Sequence, residues 1–480
     1  MIVGVKNKIF WFKFFFLLIT ASLLLACGNW KKSKQDGHEN GSLVLNELEL
    51  IKEKGELKAV VDYNSTNYFV YRGRPMGFQY ELLQQLSKDL GVALRVSVSN
   101  NLDKTFAGIE SGDYDLIAKN LTVNRDRLQF VDFTVPLQYT RQVLVQRSRS
   151  NKNDSVYVNS IVDLQGKTVY VQKNTAYYNR LLYLSDETGK KINIAEDTIY
   201  GVEQLVARVA NGEIDYTVCD ENVANLNKTF YPNLDVSLRL SFPQKISWAV
   251  AKGSEEWKDY LDEWITKFRR TTKFRVLYHK YFESPRIAER MESDFHSLGG
   301  GRISPYDDII RQVAEEHHWD WRLIASIIYS ESRFNPDAGS WAGAYGLMQL
   351  MPNTAEAFGI ENYELPKQNI TGGVMFLDWL NDRLKESVPD STERISFVLA
   401  AYNVGLGHVD DARRLAKKYD KNPDIWKGNV EEFLLKKSME KYYRDSVVQW
   451  GYCRGEEAIN YVNQVNENYN HYLNVTEKRN

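Results

Sequence analysis

ESRFNPDAGSWAGAYGLMQLMPNTA, residues 331–355 of a 480-residue chain, decides how the rest is read. Before it, Leu323, Ile324, Ile327 and Ile328 recur at helical spacing, which predicts a helix over 321–332. Glu331 falls three and four residues past Ile328 and Ile327, so its carboxyl continues the apolar face. Burial disfavours the ionised form of a carboxylic acid. A carboxyl that stays protonated near neutral pH is what a general acid needs. A helix-end Glu paired with Arg333 or a backbone amide is the plain alternative, and Glu331 by itself does not separate the two.

The surrounding words do. Glu331-Ser332, Asn335-Pro336, Ala338, Ser340, Gly343-Ala344, the run from Gly346 through Gln349 to Pro352, and Thr354-Ala355 form one block. Ala400-Ala401-Tyr402-Asn403-Val404-Gly405 forms a second, and Arg454-Gly455-Glu456 with Tyr461-Val462 a third. Together they resemble the lysozyme-like domain of lytic transglycosylases, which cut the glycan strands of peptidoglycan. The resemblance implies a lyase in which Glu331 protonates the glycosidic oxygen and then takes the proton of the sugar's own C6 hydroxyl. A 1,6-anhydro ring would close on N-acetylmuramic acid without consuming water. It further implies that Ser340 and Tyr402 hydrogen-bond near Glu331 and the sugar. Gln349 and Asn403 would offer amides, Met351 an apolar wall and Tyr461 a glycan-facing ring. The resemblance assigns one catalytic carboxylate, Glu331, where most glycosidases pair two.

Working outward, 303–480 reads as all-helical, with segments predicted over 306–317, 354–358, 372–386, 392–402, 410–419, 430–445 and 456–472. From 46 to 285 the pattern is different. Short apolar strands at 57–61, 92–98, 115–118, 167–172 and 215–219 alternate with helices at 80–90, 102–111 and 202–211, which predicts parallel α/β sheets in two lobes. Gly112-Asp113-Tyr114-Asp115, Leu121 to Arg127, Val131 to Thr134, Gly166 to Val169 and Gly212 to Asp215 resemble the type 2 periplasmic solute-binding proteins for polar amino acids. That resemblance implies a ligand site in which Arg127 grips an α-carboxylate, Asp220 takes the ammonium, and Thr122 and Thr175 complete the cradle. A guanidinium fork suits a carboxylate. Two positions depart from the pattern: Gln79 stands where an acid is usual, and Asn174 where a glycine is. The expected fold class is therefore multidomain: a two-lobed α/β module, then a mainly α lysozyme-like domain.

The chain begins with Lys6, Lys8 and Lys13 ahead of an apolar run ending Leu24-Leu25-Ala26-Cys27. Its length suits an export signal over 1–26 better than a membrane span, and the ending resembles a bacterial lipobox. Cys27 would then carry lipid, with 27–45 a polar tether. Residues 286–302, with Gly299-Gly300-Gly301, read as a linker permitting hinge motion. A lipid anchor, a solute-binding module and a catalytic module in that order resemble one subfamily of membrane-bound lytic transglycosylases. The implied location is the cell envelope, with the outer membrane facing the periplasm as the family expectation.

A formal net charge of −2 argues against nucleic acid as a partner. Cys219 and Cys453 sit apart, and seven scattered histidines make no metal signature, so no metal or cofactor is expected. His317-His318 reads as solvated. The partners expected are glycan strands, the membrane through its lipid, and a cell-wall peptide or amino acid in the first module. Two other readings stay open on sequence: a lipoprotein solute receptor with an inert helical module, and a hydrolase of lysozyme type.

Overall fold

The computed structural model describes residues 46–149, 155–284 and 302–476. The signal over 1–26, Cys27, its tether and nearly all of the 286–302 linker lie outside the described residues. Those expectations are therefore not addressed by the fold.

The first module opens on helix α1, Glu47–Lys54, set by a capping box in which Asn46 and Glu49 satisfy each other's backbone amides. Strand β1 (Glu56–Val61) lies parallel to β4 (Ala93–Val98) and to β5 (Leu116–Thr122). Helices α2 (Phe78–Leu90) and α3 (Leu102–Glu110) make the crossovers between them. Between β1 and α2, β2 (Phe69–Tyr71) and β3 (Arg74–Met76) form a separate antiparallel hairpin. The first-lobe sheet is completed by β6 (Val131–Phe133), β7 (Gln138–Thr140) and β13 (Gln244–Ala251). In the second lobe, β8 (Gln142–Arg147), β9 (Thr168–Gln172), β10 (Asn193–Asp197), β11 (Thr217–Asp220) and β12 (Leu234–Asp235) form the sheet β10-β9-β11-β8-β12, with helices α4 (Ala176–Thr188), α5 (Val202–Ala210) and α6 (Glu221–Phe230) between the strands.

Neither sheet is wholly parallel, which corrects the expectation. β13 is antiparallel to β5, and β8 is antiparallel to β11. β8 and β13 are the strands by which the chain enters the second lobe and returns to the first, and each runs against its neighbours there. The first module closes on two helices, α7 (Glu255–Phe268) and α8 (Thr272–Tyr278), because Thr271 Oγ1 accepts from Phe274 N (3.2 Å) and starts a new helix.

The helical module has its own core around α10, Trp321–Ser332, which is the predicted helix. Around it stand α9 (Asp307–Glu316), α12 (Pro366–Lys385), α13 (Ser391–Val404), α14 (Leu406–Lys418) and α17 (Gly455–Thr476), with the short α11 (Pro352–Ala357) beside them. The helix expected over 430–445 is broken into α15 (Glu431–Lys436) and α16 (Glu440–Tyr443). At the break, Lys437 is fully buried and gives its ammonium to Asp411 Oδ2 (2.6 Å), and Met439 leaves helical geometry. His317 is not simply solvated: its Nδ1 lies 2.6 Å from Asp378 Oδ2.

Asn46–Asn480 forms one unit, and the reason is α17. Its first turns pack in the helical core through Ala458, Tyr461, Val462 and Val465. Its last turns reach the first module. His471, 4% exposed, is hydrogen-bonded through Nδ1 to the Tyr68 hydroxyl (2.7 Å) and through Nε2 to that of Tyr80 (3.1 Å). The Tyr472 hydroxyl donates to Gly73 O (2.9 Å) and Asn474 Nδ2 to Val96 O (2.9 Å). The β2–β3 hairpin answers from the other side. Val70 belongs to the helical module's core, and a Cβ on Gly73 (φ +75°) would meet the ring of Tyr329 at 2.8 Å.

Candidate active site and ligand cleft

Helix α10 delivers Glu331 at its last turn, and Arg333 ends the helix in the left-handed region (φ 56°). The residue is half-buried, yet its carboxyl is strongly desolvated: burial pushes its pKa up to about 7, with the Tyr461 hydroxyl pulling it down. Tyr461 is 8% exposed, and its hydroxyl is buried without a well-formed hydrogen bond. Burial and the nearby Glu331 charge both hold the Tyr402 and Tyr461 phenols far above their ordinary range. Glu331, Tyr402 and Tyr461 thus come together from three helices that are far apart in sequence.

The other expected residues take different positions. The Tyr402 hydroxyl is committed inward, donating to Met348 O (2.8 Å), while its ring packs against Phe376 at 5.3 Å. Gln349 has a positive φ of 48°, and its Nε2 donates to Ala338 O (2.8 Å) and Gly346 O (3.0 Å). Its amide nitrogen therefore holds the 338–349 loop closed and is not free for an acetamido group, which narrows the expectation to its oxygen. Ser340 Oγ accepts from Ala344 N (2.9 Å), turning the same loop. Met351 is exposed at the start of α11, and Asn403 is exposed at the end of α13.

Sequence reasoning missed Asn369. Fully buried in α12, its Oδ1 accepts from Met348 N (2.8 Å), and its Nδ2 donates to Tyr345 O (2.9 Å) and Tyr363 O (2.8 Å). Ser332 adds a bond from its Oγ to Leu347 O (2.8 Å), tying the loop to the helix that carries Glu331. A polar residue within a helical run is the only signal in the sequence, and it names no partner.

In the first module, Arg127 lies against the Thr122 backbone and near Asp220, and it reaches the carbonyl of Asn174, the residue before Thr175. Arg127 is buried, and its Nη1 donates to Thr122 O (3.0 Å) while its Nη2 donates across the cleft to Asn174 O (3.3 Å). Two of its donors are thus already engaged, so gripping a carboxylate would use the rest of the fork or displace these bonds. Asp220 is buried, with its pKa raised to about 7 by desolvation against the pull of Tyr177 and Arg127. Its Oδ1 has no hydrogen-bond partner among the described residues. Thr175 Oγ1 donates to Gln172 O (2.7 Å), within its own loop. The departing residues have structural work: Gln79 donates to Asn120 Oδ1 (2.8 Å) and accepts from Trp248 Nε1 (2.7 Å), and Asn174 Nδ2 holds Asp103 (2.7 and 2.8 Å). The lobes are also clasped by Ser65, whose N–H donates to Glu203 Oε2 (3.0 Å). The cleft is closed.

The model of the transglycosylase SLT domain matches residues 308–425, and that of the bacterial extracellular solute-binding proteins, family 3, matches residues 57–284. A solved amino acid ABC transporter substrate-binding protein from Streptococcus pneumoniae, AbpA, aligns at a TM-score of 0.43 and 22% identity, covering 49% of this chain and 98% of its own. A score at that level decides nothing further. Membrane-bound lytic murein transglycosylase F of Desulfosudis oleivorans is 33% identical over 416 residues, 86% of this chain and 89% of its own length. That of Pseudomonas fluorescens is 33% identical over 437 residues, 90% and 87% respectively. With both modules matched in the same order over most of its length, the chain belongs to the membrane-bound lytic murein transglycosylase F family.

Proposed function

We propose that Glu331 is the acid and then the base of a non-hydrolytic cleavage of the bond between N-acetylmuramic acid and N-acetylglucosamine. The observation that carries this is a single desolvated carboxyl with a pKa of about 7, flanked by two tyrosines. Near neutral pH such a group is partly protonated at rest, so it can give its proton to the glycosidic oxygen. No second carboxylate contributes to its shift among the described residues. The substrate's acetamido carbonyl then stabilises the anomeric carbon. Glu331, now ionised, takes the C6 hydroxyl proton as that oxygen closes the 1,6-anhydro ring. The proton lost in the first step is recovered in the second, and no water enters. Met351 and Asn403, both exposed, would face the strand, with Ser340, Gln349 and Tyr402 shaping the loop beneath it. The role is turnover of the cell wall. Mass spectrometry of digested peptidoglycan tests this: products lighter by one water than hydrolysed ends support it, and hydrated ends make the enzyme a hydrolase.

We further assign the first module a regulatory role, with a cell-wall peptide or amino acid whose carboxylate is held by Arg127 and whose ammonium is held by Asp220. What supports it is α17, which leans on Glu331 through Tyr461 and on the first module through His471. Lipidation at Cys27 would place the enzyme on a membrane of the cell envelope, the outer one by family expectation, and none of the described helices is long and apolar enough to span a bilayer. Loss of membrane fractionation in Cys27→Ser is the expected result. Unchanged, salt-resistant fractionation would refute the anchor.

A further inference from the structure

Asp411 and Lys437 are both fully buried and paired at 2.6 Å, with Arg414 closing on the same carboxylate. Desolvating a charge pair is expensive and adds little stability compared with an apolar pair of the same size. What this pair holds is a short segment of chain. Asp411 Oδ1 accepts from Gln449 N (2.8 Å), its Oδ2 accepts from Trp450 N (2.8 Å), and Arg414 Nε donates to Val447 O (2.8 Å). The segment 447–450 is thereby pinned to α14 at three backbone groups, and it ends on an indole that is 64% exposed. The five-membered ring of the indole lies over Gly407, where any Cβ would run into Cδ2, Cε2 and Nε1.

An exposed apolar side chain is ordinary by itself. Here the ring is exposed and held in place, and the glycine it packs on is close in the chain to Asn403. Gly407 follows Asn403 by four residues, so their Cα atoms are within about 14 Å of each other even for extended chain. Tyr402, next to Asn403, already senses the Glu331 charge. A flat ring held rigid costs little entropy to bind against and offers a face to the apolar C–H side of a sugar.

We infer that Trp450 is a further glycan-binding residue, a stacking platform for a sugar of the strand beyond those held beside Glu331 and Asn403. The inference rests on the reading of Glu331, Tyr402 and Asn403 as the cleavage site.

The test measures cleavage of defined-length, peptide-free peptidoglycan strands by the full chain. Trp450→Ala should raise KM about two- to tenfold with kcat changed less than about twofold, the pattern of lost strand binding. Trp450→Phe, which keeps a ring, should recover most of the loss. Gly407→Ala keeps the indole but displaces it, and should raise KM as well. In the Glu331→Gln background, indole fluorescence should respond to added strands, and Trp450→Phe should remove that response. An unchanged KM in Trp450→Ala overturns the proposal. So does a fall in kcat at constant KM, or equal damage in Trp450→Phe with a lowered melting temperature, since either marks a purely structural ring. The two readings fail separately: residual cleavage by Glu331→Gln refutes the acid and leaves the platform, while an unmoved KM refutes the platform and leaves the acid.

Discussion

Tyr461 and His471 stand ten residues apart on α17, the first bearing on the Glu331 carboxyl and the second wedged between the hydroxyls of Tyr68 and Tyr80. At 1.5 Å per residue that is about 15 Å of continuous helix. A shift of the first module against His471 therefore has a rigid path to the hydroxyl that lowers the acid's pKa.

Tyr461→Phe should move the alkaline limb of the pH–rate profile upward. The tyrosine hydroxyl lowers the Glu331 pKa against the larger effect of burial, so removing it leaves burial less opposed. Glu331 must be protonated to act, so wild-type kcat/KM should fall as pH rises through about 7. The variant should fall later. A limb that stays put would separate Tyr461 from the acid.

His471→Leu should destabilise the protein by roughly 1–3 kcal/mol, read by denaturant unfolding, because two buried hydrogen bonds to the Tyr68 and Tyr80 hydroxyls are lost. It should also blunt any response of cleavage to ligands of the first module, while Glu331→Gln protein should keep normal stability. A His471→Leu protein as stable as wild type would mean the two modules are not locked by this contact.

Asn369→Leu should cost about 2–4 kcal/mol, because the buried amide of Met348 loses its acceptor and the carbonyls of Tyr345 and Tyr363 each lose a donor. Activity should drop further than stability, since the same loop carries Gln349 and packs under Tyr402. Full activity in the variant would show that the loop holds without it.

Cell-wall peptides with a free carboxylate should change the wild-type cleavage rate roughly five- to 150-fold, the range of typical coupling energies. Arg127→Ala should lose that response and keep basal cleavage. Equal responses in both proteins would clear Arg127, and no response together with no change in melting temperature would mean the cleft does not sense such peptides.

The helix bearing Glu331 was legible because Leu323, Ile324, Ile327 and Ile328 write a helical period, and the desolvation of Glu331 follows from its place on that face. The αβ rhythm of the first module was legible for the same kind of reason. What could not be read were pairings fixed by tertiary approach. Nothing local marks Asp411 and Lys437 as buried, for charged residues usually face water. Helix periodicity shows that α17 has an apolar face, but not that the face is shared between two cores. Gln349 and Tyr402 are expected at the substrate, and the sequence does not show that the Gln349 Nε2 and the Tyr402 hydroxyl also fasten the loop, since a buried N–H or O–H takes the nearest carbonyl.

The most direct measurement compares Glu331→Gln with wild type on purified peptidoglycan at neutral pH. The amide fills the same space and cannot exchange a proton, and it removes a carboxyl that burial disfavours when ionised. Cleavage should fall to below about a hundredth of the wild-type rate, within the usual reach of acid catalysis, with the melting temperature undiminished. A variant that folds normally and still cleaves at more than that fraction would contradict the assignment of Glu331 as the acid.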